Sequence, residues 1–122
     1  MIAAPTLSIS PEKVCYFIAK AHEFDVTDEV VDPDSGASVV DEATFQELTA
    51  FINGLTEDEQ IDLVALTWLG RGDATIDEWG DLRAEAARLH NNRTAAYLLG
   101  KPMLGDHLEE GLAQFGLSCE GM

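Results

Sequence analysis

The sequence predicts an all-α fold, and three observations carry that expectation. Apolar residues recur at helical rather than strand spacing through most of the chain. Two helix-start signatures, Thr56-Glu57-Asp58-Glu59 and Thr75-Ile76-Asp77-Glu78, stand ahead of apolar runs. No strand-like alternation of apolar and polar residues persists anywhere. The expected architecture is a single compact domain over residues 1–122, an antiparallel bundle of about five helices around a buried central helix near 57–70.

The elements follow in order. Ser10-Pro11-Glu12 supplies a hydroxyl cap, a proline at the first helical position and an acid in the first turn. Val14, Phe17, Ile18 and Ala21 then share one face, predicting a helix over about 11–24. Residues 25–38 hold Pro33, Gly36 and several acids, and are expected to form an acidic mobile loop. Phe45, Leu48, Phe51 and Ile52 define a second helix over about 41–53, ended by Gly54. After the Thr56 capping box, IDLVALTWLG is apolar nearly all the way round. A surface helix would keep one polar face, so this segment belongs at the centre.

The second capping box opens a fourth helix with Trp79, Leu82, Ala86 and Leu89 inward. Asn91-Asn92 interrupts it, and Thr94 to Leu99 makes a short helical turn. Pro102 is expected to open the last helix, whose inward face is Leu104, Leu108, Leu112 and Phe115, stopped by Gly116. Residues 117–122 are expected to be a flexible tail.

Composition limits the function classes. The chain has 122 residues, 46% of them hydrophobic and 25% charged, enough to build a core without a metal or a disulfide. No apolar run approaches the length of a membrane span, and the N-terminus has no secretory pattern. A cytoplasmic location is therefore expected, with Cys15 and Cys119 as reduced thiols. A disulfide between them requires the two ends of the chain to meet. The formal net charge is −16, from 23 acids and 7 bases. From Glu23 to Asp62 there are 13 acids and no Lys or Arg. Such a field disfavours direct contact with nucleic acid or an anionic membrane, and solubility explains it most simply.

The most distinctive stretch is WLGRGDATIDEW, residues 68–79. It reads as a helix–helix connection in which Gly70 or Gly72 ends one helix, Thr75 caps the next, and Trp68 and Trp79 pack at the corner. As a calcium loop it fails, because Glu78 falls where glycine is needed and Ala84 where the bidentate acid is needed. As a phosphate loop it lacks the Gly-Lys-Ser/Thr ending. The Arg71-Gly72-Asp73 triplet reads as a chance match to an adhesion motif.

No catalytic constellation is visible, and no cofactor or metal is implied. His22, His90 and His107 have no ligand-spaced partner. His22 and His90 are placed near helix C-termini, where a partial positive charge is favourable, and His107 is expected to be exposed. Asp58 and Asp62, like Asp77 and Asp81, share a helical face and are assigned to the helix dipole rather than to acid–base work.

The block from Leu55 to Cys119 resembles an uncharacterised bacterial family, domain of unknown function 3775, chiefly through EDEQIDLVALTWLGRGD and RTAAYLLG. The opening LSISPEKVCYFIAKAHEFD is similar too. The resemblance implies a small helical protein and carries no activity, cofactor or catalytic residue.

Three functions compete. The favoured one is a small acidic protein-binding or regulatory module, a homodimer being one version. Its candidate interaction surface is Trp68, Arg71, Trp79, Arg83, Arg93 and Tyr97. The second is a small enzyme or small-ligand binder with a pocket between helices, using Trp79, Arg83, His90, Arg93 or Tyr97. The third is an acidic mimic that occupies a nucleic-acid-binding protein. Catalysis is the less favoured reading.

Overall fold

A computed structural model describes residues 7–29, 37–101 and 103–119, with the backbone alone for 23–29 and 37–42. All regular structure among these residues is helical: α1 (Pro11–Glu29), α2 (Ala37–Asn53), α3 (Glu57–Arg71), a 3-10 turn (Ile76–Glu78), α4 (Trp79–Leu89), α5 (Thr94–Leu99) and α6 (Leu104–Gln114). The all-α expectation holds, with six α-helices where about five were counted.

The third helix is the interior rod. Every residue from Ile61 to Leu69 is buried. An isolated helix of this composition has no solvated face, so it forms only when α4, α5 and α6 cover it. Its ends are defined locally. The Thr56 hydroxyl accepts from the Glu59 amide at 3.2 Å, and the Glu59 carboxylate accepts from the Thr56 amide at 2.9 Å. At the other end Gly72 takes φ 93°, a left-handed conformation that a side chain would strain.

Gly70, the alternative stop, has a different use. A Cβ there would lie 1.6 Å from the carbonyl oxygen of His107, and one on Gly111 would lie 2.5 Å from the carbonyl oxygen of Leu66. The backbones of α3 and α6 therefore touch, which glycine on both sides permits. Leu104, Leu108 and Leu112 fill the seam around them.

Several expectations need correction. Residues 25–29 and 37–38 were assigned to an acidic loop, yet α1 continues to Glu29 and α2 begins at Ala37. Nothing between Glu23 and Glu29 is Gly or Pro, so acidity there described solvation and not a break in the helix. The rest of that loop, 30–36, lies outside the described residues, as do Pro102 and 120–122 of the expected tail. The last helix starts at Leu104, preceded by Met103 at φ 57°. His22 consequently sits in mid-helix, not near a C-terminus.

The thiols are also corrected. Cys15 of α1 and Cys119, just past α6, form a disulfide with Cα atoms 5.5 Å apart. α6 packs along α1 and delivers the chain end beside Cys15. This contact lies 104 positions apart in sequence, so spacing could not reveal it. Leu89, expected inward, is 52% exposed.

Asp62 is the buried charge that organises the N-terminal segment. It is fully buried and accepts from the amides of Ser8 and Ile9, the latter at 3.2 Å, and from Arg83 Nε of α4. The dipole reading of Asp62 accounted only for its position near the start of α3. Its actual role is to pin Ile9, itself fully buried, and α4 to the rod.

Candidate functional site

The break between α4 and α5 opens a cleft over the rod. It is about 420 Å³ in volume and is lined by Ile61, Val64 and Trp68 of α3, Ala86 and Leu89 of α4, His90, Asn91 and Arg93 of the turn, and Thr94, Ala96 and Tyr97 of α5. That volume lies within the range of small-ligand pockets, and the mix of an apolar floor with a few polar groups is typical of them.

The polar groups are held in fixed roles. Trp68 Nε1 donates to the Tyr97 hydroxyl at 2.9 Å, tying the rod to α5. Gln60 Nε2 donates to the Ile52 carbonyl at 2.8 Å, which turns Gln60 Oε1 toward His90 Nε2 at 2.7 Å. An acceptor there requires the proton of neutral His90 to sit on Nε2. Asn91 Oδ1 accepts from the Arg93 amide at 2.7 Å, and the Thr94 hydroxyl donates to the Asn91 carbonyl at 3.0 Å. These bonds shape the tight exit from α4, which asparagine suits because its side chain caps its own turn.

The residues expected to form one surface are divided. Trp68, Arg93 and Tyr97 meet at the cleft. Arg71 lies at the exposed end of α3, where its Nη2 reaches Asp73 at 2.5 Å, and that hydrogen bond raises the guanidinium pKa. Arg83 is committed to Asp62 and Asp58. Trp79 is buried and meets Phe115 edge-on at 4.9 Å, so the two indoles pack at different places.

Leu89, Asn91, Thr94, Ala96 and the floor residues Ile61 and Val64 had no sequence signal as cleft residues. The Asn91-Asn92 break was the available clue, since it marks where two short helices diverge and leave the rod partly uncovered.

A second cluster joins α1 and α6. His22 Nε2 lies 3.1 Å from Asp106 Oδ1 and 3.3 Å from Glu109 Oε1, and one ligand atom from each falls within a 4.8 Å group. Gly105 gives the imidazole room, because a Cβ there would lie 2.4 Å from the His22 ring. All three side chains are at least one-third exposed, and the hydrogen bond between His22 Nε2 and Asp106 Oδ1 accounts for the geometry. His22 and Asp106 are too far apart in sequence for spacing to have joined them.

The model of a family described as a protein of unknown function, DUF3775, matches residues 45–117, more than half of the chain, and the chain belongs to that family. The match takes in α3, α4, α5 and hence every residue lining the cleft. No curated protein and no solved structure matches the chain.

Proposed function

We propose that this member of the DUF3775 family is a binding module whose cleft between α3, α4 and α5 takes an apolar small molecule. The observation that carries the reading is the 420 Å³ concavity with Ile61, Val64 and Trp68 as its floor. Covering that floor removes apolar surface from water, which drives association. His90 is the one imidazole on the lining, and neither a carboxylate nor a thiol stands there to work with it. Binding is therefore favoured over catalysis.

The test uses a neutral apolar fluorophore, N-phenyl-1-naphthylamine. Saturable one-to-one binding is expected, with loss of at least tenfold in affinity in Ala96→Trp, which fills the cleft from an exposed position. Absence of binding, or binding indifferent to Ala96→Trp, overturns the proposal.

A second reading is a protein partner, or a second copy, inserting an apolar side chain. Leu89 and Tyr97, 52% and 42% exposed at the mouth, favour it. A sedimenting dimer that Ala96→Trp dissociates would select it. The acidic-mimic reading rests on 23–62 and predicts a salt-sensitive complex with a basic protein. No described helix is long and apolar enough to cross a membrane. A cytoplasmic site remains part of the proposal, although the Cys15–Cys119 bond is more usual in oxidising compartments. Thiol titration of rapidly lysed, alkylated cells checks it.

A further inference from the structure

We infer that the ligand of the cleft carries a carboxylate, seated on Arg93 at the rim while its apolar body covers Trp68. This rests on the cleft being a small-molecule site and adds the chemical class of the molecule. Three independent observations lead to it.

The first is the charge of the lining. The chain holds 23 acids, yet none of the eleven residues around the cleft is Asp or Glu. The second is the state of Arg93. In so acidic a chain the other arginines are neutralised: Arg71 by Asp73, Arg83 by Asp58 and Asp62, Arg88 by Glu85. Lys13 and Lys20 pair with Glu59 and Glu47. The Arg93 guanidinium is exposed, lines the cleft and is held by no carboxylate among the described residues. Lys101 is the other base without an acid partner among the described residues, and it lies 4.5 Å over the ring of Tyr97, a residue of the lining. Among the described residues, the two cations that the acids leave over thus stand on the cleft or against one of its residues.

The third is the balance of donors and acceptors. Three side-chain oxygens around the rim are already engaged internally: Asn91 Oδ1 by the Arg93 amide, Gln60 Oε1 by His90, and the Tyr97 oxygen by Trp68. Beside the acceptor His90 Nδ1, these bonds leave mostly donors: the guanidinium N–H groups, the Asn91 amide nitrogen and the Tyr97 hydroxyl proton. A donor-rich rim is complementary to an acceptor-only group, and a carboxylate receives a guanidinium on two oxygens at once. The net charge of −16 repels anions at long range, but ions screen that field beyond about 8 Å, so the local rim decides.

Octanoate and 1-octanol form the test pair, because they share an apolar body and differ in the head. Calorimetric titration of the full chain should show octanoate binding at least tenfold tighter. Arg93→Gln should abolish the preference. Among the described residues Arg93 makes no side-chain bond that folding depends on, so the variant should melt like the parent, and a thermal scan checks this. Equal binding of both probes overturns the carboxylate inference and leaves the cleft proposal standing. Binding of neither overturns the cleft proposal itself. A preference that survives Arg93→Gln overturns the assignment to Arg93.

Discussion

The two faces of α3 are finished in opposite ways. Toward α6 the rod is sealed: Gly70 and Gly111 bring the backbones into contact, and leucines fill the remaining space. Toward α4 and α5 it is left partly bare, because α4 stops at Leu89 and α5 runs only from Thr94 to Leu99. The indoles repeat the contrast. Trp68 on the cleft side has its N–H satisfied by Tyr97, whereas buried Trp79 has no partner for Nε1 among the described residues and relies on packing against Phe115. A sealed face contributes stability. An open face on a rigid support is what a binding site requires.

Substitutions can break this comparison in graded steps. The largest effect belongs to Asp62, which both faces depend on through the N-terminal segment and α4. Asp62→Ala takes the buried acceptor from two amides and from Arg83, which keeps only Asp58, and should cost about 3–5 kcal/mol in urea melts. Gly70→Ala comes next. Its Cβ meets a backbone carbonyl that cannot swing aside, so α6 must shift, at about 3 kcal/mol. Ala96→Trp, on the open face, should leave stability within about 0.5 kcal/mol, and that difference is the comparison in numerical form.

Reduction of Cys15–Cys119 should lower stability by about 2–4 kcal/mol, since the bond closes a loop of roughly 100 residues in the unfolded chain. Melting with and without a phosphine reductant reads it. A smaller effect than that of the disulfide belongs to the surface pair between Lys13 and Glu59, 2.6 Å apart. The Lys13 hydrogen bond, helped by the Thr56 amide, lowers the Glu59 pKa below its ordinary 4.5. A lowered carboxylate pKa contributes stability above the unfolded value and loses it as pH falls through the folded one. Lys13→Met should therefore cost at most about 1 kcal/mol at pH 7 and less near pH 3.

Local chemistry was legible and distant approach was not. The Thr56–Glu59 capping box, the burial of IDLVALTWL and the Gly116 stop follow from neighbours in sequence, and each stands as read. Acidity at 25–29 does not break the backbone, because the breakers Pro33 and Gly36 stand beyond that stretch. Gly70 gave no sign of its role, because the carbonyl it meets belongs to His107. Asp62 looked like a dipole residue because its partners, Ser8, Ile9 and Arg83, come from other segments. Of the aromatic and basic residues expected to form one surface, Trp68, Arg93 and Tyr97 converge, while Arg71, Trp79 and Arg83 are engaged elsewhere.

The asymmetry of the rod can be tested in one titration. The two indole N–H resonances of the ¹⁵N-labelled chain report on its opposite sides, Trp68 on the open face and Trp79 beside α6. Added 1-octanol should move the Trp68 resonance saturably and leave Trp79 in place. Movement of Trp79 alone, or of neither, would contradict a rod sealed on one side and accessible on the other.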